Sequence, residues 1–309
     1  LLDSYGEPDR ILCAEAWVHP AERAALYIRA DEFHQAFNFD FLESPWRAKD
    51  FRSVITSSLE ICDSVGAPST WVLSNHDVVR HSTRLALPLG AGRPNGIGAA
   101  DAQPDEALGL RRARAATTLM LGLPGSAYIY QGEELGLPEA TALPGDLRED
   151  PVYLRTNHEE LGRDGCRVPM PWAGDAPGAG FGPGGRTWLP QPPSYATLAA
   201  DRQDGVDGST LELYKSLLHV RRERELGLGS LAEVTDLGED VAASEDDLSD
   251  PLRARGRVDA LATLGEDPRE AGVLVGGVVG RRPRRAEEGH GGAEGCERAE
   301  ALHHLGLDA

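Results

Sequence analysis

The stretch Trp71-Val72-Leu73-Ser74-Asn75-His76-Asp77 constrains this chain more than any other, because an apolar run stops abruptly in an Asn, a His and an Asp. Trp71, Val72 and Leu73 favour a buried strand, and Gly66-Ala67-Pro68-Ser69 supplies a turn before it. The polar triplet then falls where a parallel strand would surface into a loop. Taken alone, the triplet has a plain use as a strand cap. Asn75 and Asp77 would satisfy turn amides, and His76 would be a partly buried hydrogen-bonding group. Chemistry at the strand end is the other use, and the neighbouring sequence has to decide between them.

Strands and helices alternate on both sides of this stretch. Arg10 to Trp17 reads as a short buried strand with a carboxylate, Glu15, near its end. Burying Glu15 unpaired would be costly, so a salt bridge, exposure at the strand end and a functional role all stay open. His34 and Gln35 lead into Ala36–Leu42, where Phe37, Phe39 and Phe41 alternate with Asn38 and Asp40; period two predicts a strand. Ser44-Pro45 opens a helix through about Val65, with Phe51, Val54, Ile55, Leu59 and Ile61 at mainly helical spacing. A long Gly- and Pro-rich loop (about 79–105) follows the opening stretch, and loops of that length are usually functional or mobile.

A second helix is expected over about 105–122, ended by Gly122-Leu123-Pro124-Gly125, and a strand over Ala127–Tyr130. In the following Gln131-Gly132-Glu133-Glu134-Leu135-Gly136, the two glutamates read as stacking on a helix turn, with one near a helix N-terminus. Residues 137–208 form an irregular Pro/Gly/Asp-rich excursion in which Trp172, Phe181, Trp188 and Tyr195 suggest packing. A last helix spans about 209–225. This strand–helix order predicts an α/β fold, a parallel sheet covered by helices.

Composition excludes some functions. A net charge of −19 over 309 residues argues against a nucleic-acid partner, since such proteins present basic faces. No stretch approaches the ~20 apolar residues that span a membrane. Cys13, Cys62, Cys166 and Cys296 have no C-x-x-C spacing, so neither a metal site nor a disulfide framework is suggested. A reducing, cytoplasmic location follows as the simpler expectation. Lys49 and Lys215 are the only lysines against many arginines, the signature of a GC-rich coding sequence. The chain starts at Leu1 without an initiator Met or a signal-like segment, as a fragment beginning inside a domain would.

Five motifs, in order, carry a resemblance: Ala14-Glu15-Ala16-Trp17, Phe37-Asn38-Phe39-Asp40-Phe41, Leu73-Ser74-Asn75-His76-Asp77, Tyr130-Gln131-Gly132-Glu133-Glu134-Leu135-Gly136 and Arg163-Asp164-Gly165-Cys166-Arg167-Val168-Pro169-Met170-Pro171-Trp172. Together, over roughly residues 1–240, they resemble the alpha-amylase family (glycoside hydrolase family 13), closest to bacterial alpha-glucosidases and oligo-1,6-glucosidases. The resemblance implies the second half of a (β/α)8 TIM barrel. Strand 5 would end at Glu15, strand 6 would span about 35–42, strand 7 would end at Asp77 and strand 8 would span about 126–131.

It also implies retaining hydrolysis of alpha-glucosides such as maltose and malto-oligosaccharides, without a cofactor or a metal. Glu15 would be the general acid/base, which calls for a raised pKa in a partly desolvated place beside Trp17. Asp77 would stabilise the transition state by holding sugar hydroxyls as the ring flattens. His76 and Arg163 would bind substrate.

The chain departs from that pattern in two ways. The family's nucleophile, an aspartate at the end of strand 4, is absent from this sequence, and retention needs two carboxyls about 5–5.5 Å apart. Half a barrel would also leave open strand edges. The chain is therefore expected to be inactive alone and to need the missing N-terminal half of the barrel as partner. Domains are expected at 1–228, the half-barrel with its excursion at 137–208, and at 229–309, the start of a β domain followed by a disordered tail. After Tyr214 there is no Phe, Trp, Tyr or Ile, and from about Ala242 the sequence is Arg/Gly/Ala/Glu-rich, consistent with a frameshift near that codon. The alternative is a non-catalytic amylase-like barrel used for binding or assembly, although such a module has no need of a proton donor such as Glu15.

Overall fold

The computed structural model describes residues 5–6, 10–91, 94–233, 241–245, 259–263 and 272–276. Its centre is four short parallel strands, β1 (Cys13–Ala14), β2 (Gln35–Ala36), β3 (Thr70–Val72) and β4 (Ser126–Tyr128). β1 pairs with β2 in the register Cys13↔Gln35, and β3 pairs with β4 in the register Thr70↔Ser126. The Asn38 amide closes the seam between the pairs by donating to the Thr70 carbonyl at 3.0 Å. Gln35 reaches across the same seam, donating from Nε2 to Ser126 Oγ at 2.7 Å and accepting from the Tyr128 hydroxyl at 2.9 Å. The strands thus follow one another in chain order, as the strand–helix alternation predicts.

The helices are α1 (Phe39–Glu43), α2 (Ala48–Val65), α3 (His81–Arg84), α4 (Glu106–Gly122), α5 (Pro151–Arg155), α6 (Ala200–Gln203) and α7 (Thr210–Glu223). Local signals set their ends. Gly66, at φ 73°, caps α2 in the left-handed region. Asp105 accepts from the Leu108 amide at the start of α4, and Ser209 from the Glu212 amide at the start of α7. α2 buries Phe51 and Ile55 against Phe41, Trp46, Trp71 and Met120, which form the main core with the inner face of α4. Gly109 lets α4 lie on α3, since a Cβ there would sit 1.9 Å from the Ser82 carbonyl oxygen. Among the described residues, no helix is long and apolar enough to cross a membrane.

Two expectations need correction. The strand predicted through Leu42 ends at Ala36, and the aromatic residues belong to α1 instead. Asn38 Oδ1 accepts from the Phe41 amide at 2.9 Å, so an Asn cap starts a helix turn that buries Phe39, Phe41 and Leu42 together. The disorder expected beyond about residue 242 does not describe all of that segment. β5 (Ala232–Glu233), β6 (Val241–Glu245), β7 (Asp259–Thr263) and β8 (Gly272–Gly276) form an antiparallel sheet in chain order. Short aliphatic runs such as Gly272-Val273-Leu274-Val275-Gly276 suffice to satisfy backbone groups by pairing. The remaining residues of the 229–309 segment lie outside the described residues.

Candidate active site

The loop that leaves β3 is closed on itself. Ser74 Oγ accepts from the His81 backbone amide at 2.9 Å and shares a second hydrogen bond with His81 Nδ1, also at 2.9 Å. Arg84 Nη2 donates to the Leu73 carbonyl at 2.6 Å, which ties α3 back to the strand end. Asn75 Oδ1 accepts from the Asp77 amide at 2.9 Å. Asn75 therefore does what the strand-cap reading asked of it, and it leaves the Asp77 carboxylate facing outward.

Around that carboxylate the structure gathers the four residues the resemblance offered for the site, Glu15, His76, Asp77 and Arg163. Donor atoms of Glu15, His76 and Asp77 all lie within 4.8 Å of one another. Asp77 Oδ1 accepts from Arg163 Nη1 at 2.8 Å and from Arg167 Nη2 at 2.9 Å, and His76 Nε2 lies 3.6 Å from the same oxygen. Arg167 Nε also donates to the His76 carbonyl at 2.7 Å. Burial pushes the Asp77 carboxyl up, but the Arg163 hydrogen bond and the charges of His76, Arg163 and Arg167 outweigh it and hold the pKa below the ordinary value. With two guanidiniums on the Asp77 oxygen, the Glu15–His76–Asp77 set is a poor receptor for a divalent cation.

Glu15 differs from its expectation in one respect, because it is exposed. The Trp17 ring that was to desolvate it stacks on Phe39 instead, with centroids 3.7 Å apart and planes 1° from parallel. Glu133 and Glu134 also differ, since residues 131–136 form turns and no helix starts there. Glu133 is buried, with Oε1 3.9 Å from His81 Nδ1 and Oε2 accepting from the Tyr214 hydroxyl at 3.4 Å. Burial pushes Glu133 up to about 8. Burial, helped by Arg84 and Arg80, pushes His81 down to about 3. Near pH 7 the contact is thus between two neutral groups and is not an ion pair.

Sequence reasoning missed several residues that build the site. Arg167 lay within a quoted motif without a role. Arg80, 2% exposed, donates to the carbonyls of Gln131 at 2.8 Å and Cys166 at 3.0 Å, and its amide donates to Glu139. It therefore locks the 163–167 loop to the end of β3. Asp150 grips Arg163 through Nε at 2.7 Å, Nη2 at 3.2 Å and the backbone amide at 2.8 Å. The only local signal for Asp150 was an Asp-Pro helix start.

Comparison with known proteins gives a consistent picture. The family model described as alpha amylase, catalytic domain, matches residues 2–228. A "Probable alpha-glucosidase" of Rhizobium meliloti (strain 1021) is 32% identical over 200 residues, covering 62% of this chain and 31% of that protein. "Maltase 1" of Drosophila virilis is 31% identical over 243 residues, covering 74% and 34%. Among solved structures, the alpha-glucosyl transfer enzyme XgtA superposes with a TM-score of 0.68 at 30% identity, over 86% of this chain and 44% of that one. A trehalulose synthase, MutB, shares the fold at 20% identity with a TM-score of 0.64, over 91% and 56%. The chain spans about a third of the length of the curated relatives it matches.

Proposed function

The chain belongs to the alpha-amylase family, and from that premise we propose that it supplies the acid/base half of a retaining alpha-glucosidase site. Its fold is derived from the TIM barrel. On our reading, residues 1–228 are the second half of that barrel and 229–309 begin a separate β domain. The observation that carries the proposal is the convergence of Glu15, His76 and Asp77 within 4.8 Å. Glu15 lies just past β1 and Asp77 in the loop that leaves β3, on the face where barrel enzymes keep their chemistry.

On this reading the residues take the roles that the family resemblance implies. Glu15 protonates the leaving glycosidic oxygen and, in the second step, takes a proton from water. Asp77 stays ionised under its two arginines and holds sugar hydroxyls more tightly as the ring flattens. The arginine and histidine contacts all fall on its Oδ1, so Oδ2 is the oxygen turned to sugar. His76 and Arg163 donate to neighbouring hydroxyls. The nucleophile comes from strands that precede these in the barrel, and residues 1–309 alone are inactive. The substrate is an alpha-glucoside such as maltose or a malto-oligosaccharide, handled in the cytoplasm.

The test is release of p-nitrophenol from p-nitrophenyl alpha-glucoside. It is measured for the chain alone and for the chain joined to a polypeptide supplying strands 1–4 with the strand-4 aspartate. Activity is expected only in the joined form. Turnover by the chain alone would contradict the missing-nucleophile account, and silence of a folded joined form would favour a binding-only barrel.

A further inference from the structure

We propose that Asp150 is the positioning residue of this site: it aims Arg163 so that one corner of the guanidinium, Nη1, is presented to Asp77. The inference rests on the reading of Asp77 and Arg163 as sugar-contacting groups. The Asp150 side chain is 0% exposed and that of Arg163 is 37% exposed, so a buried carboxylate anchors a side chain that reaches the open site. Asp150 Oδ2 accepts from Arg163 Nε at 2.7 Å and Oδ1 from Nη2 at 3.2 Å. This occupies one edge of a planar fork of donors. Nη1, the remaining corner, lies 2.8 Å from Asp77 Oδ1.

The backbone is shaped around the same grip. Asp150 Oδ2 also accepts from the Arg163 amide at 2.8 Å. Gly162, at φ +72°, precedes Arg163, and a Cβ there would lie 2.9 Å from Asp150 Cγ. Only a residue without a side chain lets the carboxylate come so near. In the other direction, Asp164 Oδ2 accepts from the amides of Glu149 at 2.9 Å and Asp150 at 3.0 Å. The two segments clasp each other reciprocally, one carboxylate from each side. Asp150 Oδ1 further accepts from the Val152 amide at 3.0 Å, which caps α5. A cap explains the Val152 contact and none of the three bonds to Arg163.

The two explanations differ in sign at Asp77, whose carboxylate is faced by Glu15, His76, Arg163 and Arg167. If Asp150 were only a cap or a fixed negative charge, removing its charge would leave the Asp77 pKa unchanged or lower it. If Asp150 aims Arg163, its loss releases Nη1 and the Asp77 pKa rises. The experiment is carbon-detected NMR titration of the full chain labelled with 13C-aspartate, with the Asp77 signal assigned through Asp77→Asn.

Asp150→Asn is expected to raise the Asp77 midpoint by about one pH unit, the size of losing a nearby opposite charge. Arg163→Gln should raise it as far, and the double variant no further than Arg163→Gln alone. Arg163→Lys keeps the charge but not the fork, and is expected to behave like Arg163→Gln. If Asp150→Asn does not fold, Arg163→Lys decides. An unchanged or lowered midpoint in Asp150→Asn, or a wild-type midpoint in Arg163→Lys, overturns the proposal. The titration needs no turnover, so a failure to hydrolyse glucosides would count against the proposed activity and leave this inference standing.

Discussion

Asp77 and Glu15 meet in one site but stand on differently built ground. Asp77 follows β3, an interior strand that is buried throughout and tied to neighbours on both sides. Its loop is closed by the Ser74–His81 pair and clamped by Arg163 and Arg167. Glu15 follows β1, two residues long, which among the described residues pairs with β2 alone. Large apolar side chains stay uncovered around it, with Ile11 57%, Leu12 46% and Leu26 54% exposed. An interior strand inherits rigidity from both neighbours, whereas an edge strand has only one. The Asp77 side of the site is therefore held from several directions, whereas the Glu15 side is held by one short strand pair and leaves Glu15 exposed.

Substitution tests this contrast most severely at Arg80. Arg80→Leu keeps the backbone amide bond to Glu139 but leaves the Gln131 and Cys166 carbonyls without their guanidinium donors, and is expected to cost about 2–6 kcal/mol. Leu12→Ala, on the exposed side, should stay within about 1 kcal/mol. Urea unfolding measures both, and equal losses would erase the difference between the two sides.

A smaller effect comes from pH. Glu133, raised to about 8, contributes stability that is complete below its ordinary value of 4.5 and lost as pH climbs through about 8. His81, depressed to about 3, acts in the opposite sense, with its contribution intact above 6.5 and lost as pH falls toward 3. Glu139, pushed up to about 7 by burial, adds a slope of the same sign up to about pH 7, so Glu133 is the larger contributor only between about pH 7 and 8, where its slope is about 1.4 kcal/mol per pH unit at most. Glu133→Gln should flatten it. Parallel slopes in wild type and Glu133→Gln would show that Glu133 is not the titrating group.

Much of this arrangement was legible in the sequence where the signal is local. The strand before Asn75, the helix ended by Gly66 and those begun by Asp105 and Ser209 all announce themselves within a few residues. The motifs around Glu15, His76, Asp77 and Arg163 led to one place. Residues 37–42 misled because a period-two pattern and an Asn cap compete for the same six residues, and the cap won. Arg80 and Asp150 gave no comparable warning. Arg80 reaches carbonyls 51 and 86 positions away, and Asp150 acts on a residue 13 positions away, so their roles exist only in the fold. The exposure of Glu15 likewise depends on how β1 is packed in the fold, which the Ala14–Trp17 motif does not encode.

The role assigned to Glu15 meets its most direct test in the joined form of the enzyme. There Glu15→Gln should lower turnover of maltose by about 100- to 10,000-fold, the usual contribution of a general acid. Hydrolysis of an aryl alpha-glucoside with a good leaving group should be partly spared, because its departure needs no proton. Equal losses on the two substrates would contradict the acid/base role of Glu15, and with it the account of the site.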